Sequence, residues 1–381
     1  MSEYQYVSFR AVDKPVKGKD LEYMRKQSTR AEVTPWSFSN EYHYGDFHGN
    51  TLEMMRRGYD LHLHYANFGT RTLMIRLPEG FPDAKAAQEY LGEEGLRYIE
   101  DKTGPGGILC VEPYYEVDSI EELWDTDFEE LIEELMPLRD ELMSGDLRSL
   151  YLLHLVVCRD SNHDPEETQE GPVPAGLGRL GNHHVALAEY YDLRDELLEV
   201  AVVGAPAQAA ARKTDPQVEQ MHWLEAQPSA VKDKWLADLM SDSDTAVRAE
   251  LLREFKKTRP VVATQSVRLN RTMSALNAAS EDRAKLNNKK AAESEARART
   301  KRLANMAADP EKVLKKTEQL ISKRNSEAYA EVAELLADLR DSLAGTDQAH
   351  LAEQQVQRLR SDNPNLRGFI SELRRHGLAK K

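Results

Sequence analysis

DLHLHYANFGTRTLMIRLP, residues 60–78, places Leu61, Leu63 and Tyr65 on one side of an extended chain and Asp60, His62 and His64 on the other. That period of two is the mark of a β-strand, whose successive side chains point to opposite faces. Asn67 to Gly69 supplies a turn, and the residues after it are again apolar and β-branched. Two strands joined this closely pair antiparallel, since a parallel pair needs a long crossover. The flanking sequence fits the same plan. YQYVSFRAV (4–12) reads as a strand, EVTPWSFSNEYHY (32–44) as an extended segment bent at Pro35, and LRYIEDKTGPGGILCVEPYY (96–115) as a hairpin turning at Gly104 to Gly107. Short helices are predicted over 19–27, 50–58 and 83–92. The expected fold class is therefore α+β: an N-terminal mixed, mostly antiparallel sheet with short helices over 1–115, followed by helical regions.

Residues 116–203 read as an all-α acidic region packed on that sheet. Ser119 and Glu122 form a capping-box pattern ahead of IEELWDTDFEELIEELMPLRDEL, whose apolar positions Leu123, Phe128, Leu131, Ile132 and Leu135 make one buried stripe. LRSLYLLHLVVC (147–158) is apolar enough to be a central core helix. GAPAQAAARKT (204–214) has the small, polar composition of a linker, so limited proteolysis is expected to cut there first and release an acidic fragment. Residues 215–381 read as a basic helical domain, a C-terminal scaffold with one long basic helix over about 261–307.

Charge follows the same division. Residues 1–200 carry 40 acidic and 19 basic side chains, whereas 201–381 carry 25 and 32. A basic half on a chain of net charge −14 calls for an anionic counterpart: nucleic acid, another protein, or the chain's own front half, around Glu129, Glu130, Glu133 and Glu134. The candidate contacts are Lys256, Lys257, Arg268, Arg271, Lys285, Lys289, Lys290, Arg297 and Arg299. No aromatic residue stands between Phe255 and Tyr329, which argues against stacking on single-stranded bases and leaves duplex backbone or an acidic protein surface.

Other patterns carry less. Gly176-Leu177-Gly178-Arg179-Leu180-Gly181 matches G-x-G-x-x-G but follows two prolines, so a flexible loop is predicted in place of a nucleotide-binding strand–turn–helix. Asp160 to Asp164 begins like an EF-hand loop, but Pro165 stands where Gly is needed and Gly171 where the bidentate Glu belongs. Glu166, Glu167 and Glu170 are then expected to be a solvated acidic loop. His62 and His64, with His43 nearby in sequence, are the candidate metal ligands, on what is expected to be the polar face of a half-exposed sheet. No cofactor is implied, and no stoichiometric transition metal is expected, because spacing alone does not make three ligands converge. Two cysteines, Cys110 and Cys158, suit a reducing compartment. The N-terminus lacks a signal-peptide pattern and no apolar run reaches the ~20 residues of a membrane span, so a cytoplasmic protein is expected, with no membrane partner.

WLEAQPSAVKDKWLADLMSDSDTAVRAELLREF (223–255), LLADLRDSLA (335–344) and LRSDNPNLRGFISELRRHGL (359–378), with YQYVSFRAVDKP (4–15) and HYANFGTR (64–71), resemble an uncharacterised bacterial protein family associated with SWIM zinc-finger proteins. The Cys-x-Cys and Cys-x-His pairs of the SWIM module itself are absent. The resemblance implies a protein partner, a SWIM zinc-finger protein, and no catalytic residues. The function expected from these observations is a non-enzymatic adaptor or scaffold. Direct duplex binding through the basic helix is the first alternative, and a metal-dependent enzyme built on His62 and His64 the second.

Overall fold

The computed structural model describes residues 3–92, 94–115, 123, 126–159, 164–206, 216–240, 247, 251, 254–255, 258 and 265–379. The protein is α+β. Seven strands, β1 (Gln5–Arg10), β2 (Glu32–Val33), β3 (Ser37–Tyr42), β4 (Leu61–Ala66), β5 (Thr70–Leu77), β6 (Leu96–Glu100) and β7 (Gly107–Val111), form one antiparallel sheet in the order β2-β3-β1-β4-β5-β7-β6. The 60–78 hairpin lies near its middle, in register Leu61↔Ile75 to Ala66↔Thr70. Its turn needs Gly69: φ is +104°, and a Cβ there would lie 2.9 Å from the Tyr115 carbonyl oxygen.

Helices cover both faces of the sheet. α1 (Gly18–Arg25) and α2 (Thr51–Arg57) bring Met24, Met54 and Met55 onto the face that carries Val7, Phe9, Met74 and Cys110. After the short α3 (Ala84–Gln88), α4 (Phe128–Ser144), α5 (Arg148–Cys158), α6 (Asn182–Tyr190) and α7 (Asp195–Ala201) contribute to the core that also contains Leu61, Leu63, Tyr65, Leu73 and Ile75. The sheet is thus not half-exposed as its alternation suggested. Alternation reports which residues share a face, but not whether a helix lies over it.

α4 starts later than its sequence pattern indicated. Thr126 and Asp127 are not helical, and the Asp127 side chain accepts the Glu129 and Glu130 N–H groups as the N-cap. The Ser119–Glu122 pattern lies outside the described residues. α5 is the expected core helix, buried from Ser149 to Cys158. α8 (Pro216–Glu225) and α9 (Ser229–Met240) follow, with Trp235 buried and near Trp223.

The long helix is shorter than predicted. α10 runs Met273–Ala308, while residues 265–272 are not helical. Ser266–Val267 forms β9, paired antiparallel with β8 (Val173–Pro174). The Ala175 N–H donates to the Gln265 carbonyl at 2.7 Å, and the Glu170 N–H to that of Arg271 at 2.9 Å. Backbone satisfaction by a neighbouring segment overrides the helical spacing there. Gly176 to Gly181 is turn and loop, as expected, but the same pairing makes a short buried strand of the proline-containing stretch before it, where none was expected. Gly171 to Leu177 is buried, and its two-residue antiparallel strand is not the parallel strand of a dinucleotide fold.

By compactness the chain divides at Arg283/Ala284, inside α10. Residues 207–214 of the candidate linker lie outside the described residues, but the chain beyond it returns to the first unit. Leu269, Met273 and Leu276 join the core around α5 to α7. A proteolytic nick within 207–214 is therefore expected to leave both fragments together on size-exclusion chromatography, and separate elution without denaturant would show that this pairing does not hold them.

The second unit holds the rest of α10 and four further helices: α11 (Pro310–Ile321), α12 (Ser326–Leu343), α13 (Leu351–Asp362) and α14 (Arg367–Arg375). Asp309 caps α11 by accepting the Lys312 N–H, with Pro310 at its first position. Leu320, Val332, Leu336, Leu359, Phe369 and Leu373 form its core. Among the described residues no helix is long and apolar enough to cross a membrane.

Candidate functional site

Of the nine basic side chains proposed to meet a partner, Arg268, Arg271 and Arg299 already have intramolecular ones, and Lys285 is not free either. Arg271 donates to both Glu170 oxygens at 2.6 Å and to the carbonyls of Val200, Ala201 and Val203 at 3.2 Å. Glu170 is 1% exposed and also accepts the Tyr151 hydroxyl at 2.5 Å, so it is a buried counter-ion and not part of a solvated acidic loop. Arg268 pairs with Glu89, and Arg283 with Glu199. In the second unit, Arg299 reaches Asp341 at 3.2 Å and Arg302 pairs with Asp338 and Glu334. Lys256 and Lys257 lie outside the described residues.

The acidic helix is not the counterpart of these groups. Glu129 and Glu133 of α4 bind Arg10, and Glu129 also accepts the Tyr6 hydroxyl, which fastens α4 to β1. The Glu129 carboxyl is held below the usual range: partial burial opposes this, but the Tyr6 hydroxyl and Arg10 outweigh it.

What remains is a stretch of α10. Every residue from Asn288 to Arg302 is exposed. Lys285 is exposed as well, and Lys289, Lys290, Arg297 and Lys301 have no ion pair among the described residues. At 100° per residue, Lys290, Arg297 and Lys301 fall within about 40° of one another, on a face ~16 Å long. Arg299 and Arg302 point to the other side, where Asp338 holds them.

His62, His64 and His43 are not brought together as metal ligands. His62 is 2% exposed, stacks on Phe9 at 4.1 Å between ring centroids, and its Nδ1–H donates to the Ser8 carbonyl at 3.0 Å. His64 donates through Nε2–H to Gln5 Oε1 at 3.0 Å. Burial pushes His62 down to about 3 and His64 down to about 4, so both are neutral. His43 is exposed beside Glu41. Asp60 accepts the Val12 and Asp13 N–H groups and lies near the buried Arg139, which also pairs with Asp13.

A different trio does converge. Glu141 in the last turn of α4 and His183 and His184 in the first turn of α6 place three ligand atoms within 4.8 Å of one another, the one such grouping among the described residues. His183 Nε2 lies 2.8 Å from Glu141 Oε1, and His184 Nε2 lies 2.9 Å from Oε2. Arg148 Nη2 approaches Oε1 at 3.3 Å while also gripping Asp146 at 2.8 Å. His184 Nδ1 accepts the Gly181 N–H at 3.1 Å, the returning half of a capping box. Burial opposes ionisation of Glu141, but the two histidines prevail and its carboxyl is lowered. The adjacent histidines after Gly181 were the available sequence signal. Glu141 was one carboxylate among many.

No family model, curated protein or solved structure matches this chain.

Proposed function

We propose that this protein is a non-enzymatic binding scaffold that presents the exposed face of α10 to an acidic surface on a protein partner. The observation that supports it is the face made by Lys290, Arg297 and Lys301, flanked by Lys289: exposed cations with no ion pair among the described residues, on a helix whose opposite side is held by Asp338. A SWIM zinc-finger protein is the partner implied by the resemblance. The face is small for a duplex. Four cations correspond to about four phosphates and a salt slope near −3.6, and Glu293 and Glu295 interrupt them.

The test is a Lys290→Gln/Arg297→Gln/Lys301→Gln variant. Wild type should retain a protein from a bacterial lysate at about 150 mM salt, where screening reaches ~8 Å, and the variant should lose it. A duplex DNA should bind weakly at low salt and dissociate near 150 mM. Tight duplex binding at that salt, weakened in the variant, would replace the scaffold with a nucleic-acid-binding protein.

A further inference from the structure

We propose that Glu141, His183 and His184 form a binding site for one divalent transition-metal ion, of the two-histidine, one-carboxylate kind. The site is independent of the α10 face, and it departs from the expectation, drawn from His62 and His64, that the chain holds no such metal.

Convergence is the first support. Nitrogen and oxygen ligands about 2.1 Å from a metal stand ~3.0 Å apart at a right angle and ~3.4 Å apart at the tetrahedral angle. The observed separations of 2.8 and 2.9 Å run to the two different oxygens of Glu141, so each histidine nitrogen stands at ligand-pair distance from one carboxylate oxygen, and the three ligand atoms lie within 4.8 Å of one another. Two histidines and one carboxylate are a donor set that suits divalent transition-metal ions and leaves further coordination positions open.

The second support is independent of spacing. His184 is 0% exposed, and its Nε2 faces Glu141 Oε2 at 2.9 Å, near enough for the attraction that lowers the carboxyl but without the geometry of a hydrogen bond. Two buried polar atoms left in this state cost free energy that a cation between them would recover. His183 and Glu141 side chains are 20% and 19% exposed, so the ion has a route in from solvent. Gly181 leaves room for the His183 ring, since a Cβ there would come within 2.7 Å of it.

Two groups set the energetic cost. A metal on His184 Nε2 puts the ring proton on Nδ1, so the Gly181 N–H must turn away from it. The Arg148 charge also repels the ion, an effect that Asp146 partly offsets. Binding is therefore accompanied by a local rearrangement at the start of α6.

The experiment uses tag-free full-length protein, stripped with chelator and titrated calorimetrically with Co²⁺ and with Zn²⁺. One equivalent is expected to bind at least one of the two ions. His183→Ala and Glu141→Gln should each weaken that binding by about 100-fold or more. His183→Ala removes a partly exposed ring and should keep the wild-type circular dichroism and melting temperature, which separates loss of a ligand from loss of fold. Absence of binding of either ion to the wild type, or one equivalent retained unchanged in both variants, would overturn the site.

Discussion

Lowering the pH from 7 to 4 should destabilise the first unit by about 6 kcal/mol through His62 and His64 alone, about 3 kcal/mol from each. Both are neutral in the folded protein, with values near 3 and 4, and rise to ~6.5 when the chain unfolds. Below pH 6.5 the unfolded state takes up protons that the folded state refuses, so stability falls steadily until the folded values are reached. Desolvation is the main cause for both rings. Glu129 and Glu141, whose carboxyls are lowered, add to the loss as they protonate. Asp60, raised by burial against the pull of Arg139, acts in the opposite direction. Urea titrations at pH 7, 5.5 and 4 measure the sum. His62→Asn, which keeps a donor for the Ser8 carbonyl and removes the titrating ring, should be less stable at pH 7 yet lose only about half as much on acidification. A midpoint that does not move between pH 7 and pH 4 would show that these rings are not neutral and buried as described.

The second large effect separates two kinds of cation that look alike in sequence. Arg271→Ala should cost about 3–5 kcal/mol, because it leaves the 1%-exposed Glu170 as an unpaired buried charge. It also frees three carbonyls at the end of α7. Lys289→Gln, Lys290→Gln and Arg297→Gln should each fall within about 0.5 kcal/mol of wild type. Equal effects from both sets would mean that the α10 face is not free. If Glu170→Gln/Arg271→Met recovered most of the loss, the orphaned charge would be its cause.

The sheet was legible because its signals are local. Alternation in 60–78 and the glycine turn at 104–107 act within a few residues, and both hairpins formed where they were expected. Covering helices are not local information, so the burial of His62 could not be read from Leu61 and Leu63. The same limit applies to charge. Arg271 finds Glu170 at a sequence separation of 101, and nothing in VRLNRTM distinguishes it from Lys290. Glu141 and His183 meet across 42 residues, through the docking of α4 beside α6. Where a periodic pattern met a competing partner, as at 265–272, the partner prevailed.

The outermost strands of the sheet bear on how copies of this protein behave at high concentration. β2 is two residues long and is followed by Pro35, which has no N–H to offer. β6 is five residues long, with the exposed Arg97 and Glu100 along it. Neither rim gives an incoming chain a long, flat, uncharged row of amides and carbonyls on which to dock. Fibrillar stacking through sheet extension is thus guarded against at both ends by brevity, proline and charge, and the natively folded protein should resist seeding by its own aggregates.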